Sequence, residues 1–210
     1  MEISYNKGRV SSFCDAVFSI AMTLLILEID VPSGNVLEEY GLGIVLENRI
    51  PNFIGLFVSF MVIALYWVSH LRIFEFIKKV DGRILWLNIF LLLFVVMLPF
   101  STAMYVGAFF STSAFVFYCL NLVFLGLFNY LLIRLVTKRG LIQNTLSIHW
   151  AKWLRFRSLN ALVVWMLAAL LAYPFPTLAR TIFVLIFIVQ MMGDRHFKKR
   201  ISKEAASLST

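Results

Sequence analysis

Arg9-Val10-Ser11-Ser12-Phe13-Cys14-Asp15-Ala16-Val17-Phe18-Ser19-Ile20-Ala21-Met22-Thr23-Leu24-Leu25-Ile26-Leu27-Glu28-Ile29-Asp30-Val31 is the stretch that decides the fold. From Ser11 to Val31 it is apolar enough to cross a bilayer, which takes roughly 20 residues. It does not read as a cleavable leader. It is too long, it contains an aspartate, and it ends in Glu28-Ile29-Asp30-Val31-Pro32 instead of a small-residue cleavage site. An aspartate at membrane depth is costly and faces protein or water, with a partner. Asp15 is therefore either a hydrogen-bonding hub or a direct participant in transport.

Working outward, long apolar runs fill nearly the whole chain. Of 210 residues 61% are hydrophobic and 14% charged, and the mean hydropathy is +0.88. A soluble domain of this size needs no such composition, so the chain reads as an all-α, multi-pass membrane protein. Six spans are predicted: Ser11–Val31, Asn52–Ile77, Ile84–Tyr105, Phe109–Val136, Leu159–Tyr173 and Thr177–Met192. They form one domain, residues 1–210, with no internal repeat. Pro51, Pro174 and Pro176 fall at span edges, and Pro99 lies inside the third span, where it should kink the helix. Cys14 and Cys119 both sit in apolar segments and read as packing residues, not as a disulfide or metal pair.

Of the 19 Lys and Arg residues, 17 fall on one side of these spans. They occupy the N-terminal arm, the ends of spans two and four with the connections after them, and the C-terminal tail. Only Arg49 and Arg180 fall on the other side, with Glu38, Glu39 and Glu47. The asymmetry puts both termini in the cytoplasm. It also accounts for the net charge of +8 through topology and contact with anionic membrane lipids. Nucleic acid is thereby excluded as the partner. Trp150 and Trp153 read as anchors of an interfacial helix between spans four and five.

At ~100° per residue the first helix has distinct faces. With Ile20 at zero, Leu24 lies at about +40°, Leu27 at about −20° and Thr23 beside them at about −60°. Asp15 lies at about −140°, on the opposite side. Ile20, Leu24 and Leu27 thus make a narrow apolar stripe, suited to lipid, to helix packing or to a pore. Glu28 and Asp30 follow it at the outer end, where acidic groups either are solvated or concentrate cations at a pore mouth. No TVGYG-type carbonyl filter is present. Trp67, His70 and Asn88 on spans two and three lie at a depth similar to Arg9 and Asp15. In lipid such groups must satisfy one another. They read either as a packing network or as a proton or ion relay.

Arg9, Phe13 and Asp15, the helix that follows, Tyr66-Trp67-Val68-Ser69-His70, Leu85-Trp86-Leu87-Asn88 and Leu98-Pro99-Phe100 together resemble the transmembrane protein 175 family. That family comprises the lysosomal potassium channels and their prokaryotic relatives, with an R-x-x-x-F-S-D signature in the first helix. The chain carries one six-helix unit, as prokaryotic members do, and the resemblance implies a homotetramer whose first helices line a central pore. It implies a potassium-favouring cation channel in a plasma or inner membrane, with Ile20, Leu24 and Leu27 as a hydrophobic constriction and Thr23 as a pore threonine. Glu28 and Asp30 then stand at the outer mouth, while Arg9, Phe13, Asp15, Trp67, His70 and Asn88 form a supporting structural network. No cofactor and no metal beyond permeating potassium is expected. The signature serine is Cys14 here, a weaker hydrogen-bonding group.

The rival classes are an enzyme and a proton pathway. Neither H-E-x-x-H nor G-x-S-x-G occurs, so no enzyme is expected. A proton channel or a proton-coupled small-solute transporter is the alternative function. The transporter form fits less well, because internal repeats and broken helices are lacking.

Overall fold

The computed structural model describes residues 4–138, 148–182, 184–186 and 188–193. Every regular element in these residues is helical. The α-helices are α1 (Lys7–Leu24), α2 (Gly34–Asn48), α3 (Ile50–Phe76), α4 (Gly82–Gly107), α5 (Thr112–Lys138), α6 (Ile148–Leu171) and α7 (Pro176–Thr181). Five helical segments are long and apolar enough to cross a membrane: Lys7–Glu28, Ile50–Phe76, Gly82–Gly107, Thr112–Thr137 and Trp150–Leu171. The chain is a multi-pass membrane protein. Where the sixth span is expected, at Thr177–Met192, the described residues form α7 and a shorter apolar helix, Val184–Gly193, outside these five. The tail from Arg195 to Lys203, with His196, lies outside the described residues, as do Arg139 and the His149 side chain.

Local signals explain the helix ends. Asn6 caps α1, its Oδ1 accepting from the Arg9 N–H at 3.1 Å, and Asp81 caps α4 through the Ile84 N–H at 2.8 Å. Pro51 stands in the first turn of α3, where its missing N–H costs nothing.

Three expectations are corrected. The first span is not α-helical to Val31: it tightens into a 3₁₀ turn at Leu25–Glu28 and turns extended at Ile29. The segment between spans one and two is not a plain connection. Its apolar Val36, Leu37, Tyr40, Ile44 and Val45 form α2, broken at Gly41, whose φ of 74° is open to glycine at little cost. Trp150 and Trp153 do not mark a separate interfacial helix, because α6 runs unbroken from Ile148. No Gly or Pro interrupts it, and two of its basic groups bond within the bundle. The Arg155 Nε donates to the Thr137 Oγ1 at 2.7 Å and the Arg157 Nη2 to the Gln190 Oε1 at 3.1 Å.

One end of the bundle gathers the start of α1, the α3–α4 connection and the first turn of α6. The Tyr5 N–H donates to the Val80 carbonyl at 2.9 Å, and the Lys7 Nζ to the Glu75 carbonyl at 3.0 Å. The Phe76 and Trp150 rings lie 6.2 Å apart at the same end. At the other end Arg49 donates to the Asp30 carbonyl, and Arg180 lies over the Phe109 ring.

Between the ends the buried side chains of α1, α3, α4, α5 and α6 form one continuous core. It includes polar groups that bond across helices, as lipid-embedded bundles require. Thr102 donates to Ser59 at 2.9 Å, Ser59 meets the Tyr118 hydroxyl at 3.1 Å, Asn121 donates to Ser101 at 2.9 Å and Asn129 to Ser158 at 3.1 Å.

A candidate pore face and its supporting network

Helix α1 turns two unlike sides outward and inward. Cys14, Phe18, Ala21 and Leu25 are buried against the bundle. Ile20 is 56% exposed, Leu24 38% and Leu27 72% in the single chain, so the apolar stripe faces away from its own core. Within the 3₁₀ turn residues advance by about 120°, so Leu27 eclipses Leu24 instead of sitting about 60° from it. Thr23 shares the exposed side. Its hydroxyl donates to the Ile20 carbonyl at 2.9 Å, which commits the proton and leaves the oxygen lone pairs available to a cation.

Asp15 lies on a different side of α1, half-buried. Its Oδ1 accepts from the Trp67 Nε1 at 2.9 Å, joining α1 to α3. Beside it runs a second chain of bonds joining α1, α3 and α4. The Asn88 Nδ2 donates to the Cys14 Sγ at 2.9 Å, so its Oδ1 is the end left to meet the His70 Nε2 at 2.8 Å. His70 then donates from Nε2. Its ring is held between Phe74, stacked at 4.2 Å, and Phe18 at 5.6 Å.

The structure thus brings Asp15 to Trp67, and His70 to Asn88. It leaves Arg9 and Phe13 out of that network. Both are exposed on the side of α1 that carries Ile20, because eleven and seven residues before Ile20 amount to rotations of about −20° and about +20°. Cys14, read from the sequence as a packing residue and a weaker stand-in for the signature serine, is the added member. The substitution of thiol for hydroxyl keeps an acceptor in place, and the Asn88 amide occupies it.

Glu28 closes the 3₁₀ turn, and Asp30 lies beyond it, past the extended Ile29 and outside any helix. The angles of an uninterrupted helix therefore do not apply to them. Glu28 is exposed, and so is Asp30.

The family model described as endosomal/lysosomal potassium channel TMEM175 matches residues 9–99, from Arg9 past Asn88. A potassium channel of Chryseobacterium sp. (strain P1-3) is 25% identical over 197 residues, which cover 94% of this chain and 98% of that one. The endosomal/lysosomal proton channel TMEM175 of Gallus gallus is 37% identical over 100 residues, 45% of this chain and only 20% of that longer relative. Among solved structures, a lysosomal potassium-selective channel TMEM175 homolog from Chamaesiphon minutus is similar with a TM-score of 0.78 and 26% identity, over 90% of this chain and 98% of that one. Joined to the first-helix signature and the network behind it, these likenesses support a prokaryotic member of the TMEM175 channel family, with the family match itself lying over residues 9–99.

Proposed function

We propose that the chain is a potassium-favouring cation channel, assembled as a homotetramer around a pore lined by α1. The observation that carries this reading is the outward face of α1. Three aliphatic side chains, Ile20, Leu24 and Leu27, are exposed in register on one helix, while its other side is locked to α3 and α4. Four such faces about an axis form an apolar constriction, which passes ions when wetted and blocks them when dry. Thr23 offers the flanking oxygen. Glu28 and Asp30 stand at the outer mouth, and Asp15, Trp67, Cys14, Asn88 and His70 fix the rotation of α1. The Arg9 and Phe13 positions, at the angle of Ile20, extend the same face toward the inner mouth. The bacterial relative's name as a potassium channel supports the choice of ion.

The topology that goes with this reading has six spans, with α7 and the helix after it forming the last, and both termini in the cytoplasm. The basic end of the bundle then faces the anionic leaflet of a plasma or inner membrane. The vertebrate relative's name as a proton channel favours a second reading, in which protons are the main current.

Flux from liposomes separates the two. Vesicles holding the purified protein and a potassium gradient, with no co-substrate, should develop a potassium diffusion potential that a sodium gradient supports poorly. Proton flux without potassium flux would sink the first reading in favour of the second. No flux of either ion would sink both.

A further inference from the structure

Away from the face of α1, a cavity of about 250 Å³ opens between α3, α5, α6 and the helix after α7. Along α3 it is lined from Phe57 to Arg72, roughly 22 Å at about 1.5 Å per residue. Its walls are apolar, with Met61, Leu65, Ala161 and Trp165 among them. Its two ends differ. At the basic end of the bundle the lining includes Arg72 and Arg157, whose guanidinium carbons lie 5.1 and 4.8 Å from the ring centroid of Trp153. Both guanidinium groups thus pack on one indole ring at the rim of an apolar slot, where the Arg157 Nη2 also donates to the Gln190 Oε1.

About 9 Å further in, at about 1.5 Å per residue of helix, Tyr66 also lines the slot. Its hydroxyl is buried and has no hydrogen-bond partner among the described residues, and the Oδ1 of Asn129 in the same wall is likewise unsatisfied. Buried polar atoms of this kind are costly unless something meets them.

We propose that this cavity binds one anionic phospholipid of the cytoplasmic leaflet, with its phosphate between Arg72 and Arg157 and an acyl chain along α3. The length of the slot matches an extended chain, and the guanidinium groups at its rim supply charge-assisted donors for a phosphate diester. An ester carbonyl below the phosphate comes within reach of the Tyr66 hydroxyl as its acceptor. A basic pocket between spans on the cytoplasmic side is the form such recognition takes. The inference rests on the orientation proposed above but not on the permeating ion.

Native mass spectrometry of the detergent-solubilised protein, titrated with dioleoyl phosphatidylglycerol or dioleoyl phosphatidylcholine, tests it. The wild type should hold one phosphatidylglycerol per chain, roughly tenfold more tightly than phosphatidylcholine. Arg72→Gln, at the rim, should abolish that preference. Ala161→Phe should obstruct the slot and lower the binding of both lipids. Arg72 is outside the core, so its variant remains informative if Ala161→Phe does not fold. Equal retention of the two lipids by the wild type would overturn the proposal. So would phosphatidylglycerol binding untouched by Arg72→Gln, the outcome expected if a neighbouring subunit fills the slot. Flux measured on the same preparations is independent. Lipid preference without flux removes the channel reading alone, and flux without lipid preference removes the lipid site alone.

Discussion

At the scale of single residues, the membrane turns ordinary hydrogen bonds into constraints on rotation. The Asn88 amide has one acceptor in Cys14 and one donor in His70, and both are buried. Cys14→Ala removes the acceptor and strands the Asn88 Nδ2, at a cost of about 1–3 kcal/mol. Cys14→Ser supplies a better acceptor in nearly the same place and should be close to neutral. Thermal melts of the purified protein check the pair; equal losses in both variants would show that volume, not hydrogen bonding, matters at position 14. Asp15→Ala likewise strands the Trp67 indole N–H at about 1–3 kcal/mol, and should lower the yield of assembled protein with little change in ion preference. A well-assembled Asp15→Ala protein with altered selectivity would instead put the carboxylate in the ion path. Leu24→Ala thins the proposed constriction and should raise single-channel conductance in bilayer recordings; an unchanged conductance would move the constriction elsewhere. Much of this was legible from angle alone. The separation of Asp15 from Ile20 and Leu24 follows from about 100° per residue, and so does the place of Arg9 and Phe13 on the Ile20 side. Grouping those two with Asp15 gave sequence proximity precedence over rotation. The Cys14 partner was not legible, because a thiol in an apolar run gives a weak polar signal; only the approach of α4 reveals it as Asn88.

At the scale of elements, the long spans were easy to read and their ends were not. Apolar length marks the cores of α3, α4 and α5 within a few residues, because nothing else permits such runs. Helix α2 escaped notice because Glu38, Glu39 and Glu47 and the Gly41 break mask a weak helical pattern that little of the bundle covers. The 3₁₀ ending of the first span escaped because it depends on where the chain must turn, not on local preference. That ending has a consequence for charge. Glu28 ends the turn and Asp30 lies outside any helix, and both are exposed, so helix geometry aims neither carboxylate along an axis. Their effect on permeation should be a diffuse field, screened within a Debye length of about 8 Å at physiological salt. Neutralising both, as Glu28→Gln with Asp30→Asn, should reduce inward current at low ionic strength and matter little at high salt. A salt-independent loss would show direct ion binding. Between α5 and α6 the close approach is made by Gly126, where an added Cβ would meet the Tyr66 hydroxyl at 3.1 Å and the Leu162 Cα at 3.4 Å. Gly126→Leu overfills that crossing and should destabilise the bundle by about 1–3 kcal/mol, read as a lowered melting temperature.

At the scale of the whole molecule, the single chain leaves a question that only assembly answers: what covers the outward side of α1. A lone aliphatic stripe facing lipid would cost little, since lipid is as apolar as leucine. The stripe differs from ordinary lipid-facing surface in company. Thr23 stands beside it, Arg9 continues it at one end and Glu28 closes it at the other, and such groups favour water over hydrocarbon. Four copies about an axis would give those groups water and bring the aliphatic side chains together at the narrowest level. Disulfide trapping measures this directly, because a bond forms only when Cα atoms come within about 4.4–6.8 Å. The two natural cysteines are buried in the chain and should not interfere. Leu24→Cys or Leu27→Cys, oxidised mildly in membranes, should give chains linked in pairs, since each cysteine can join one neighbour. Leu170→Cys, 69% exposed in the single chain beside 72% for Leu27 but on α6, serves as the reference for random collision in the membrane plane. Linkage at positions 24 or 27 well above that at 170 places the first helices around a common axis. Equal linkage at all three, or more at 170, would put α1 against lipid and remove the pore from its face.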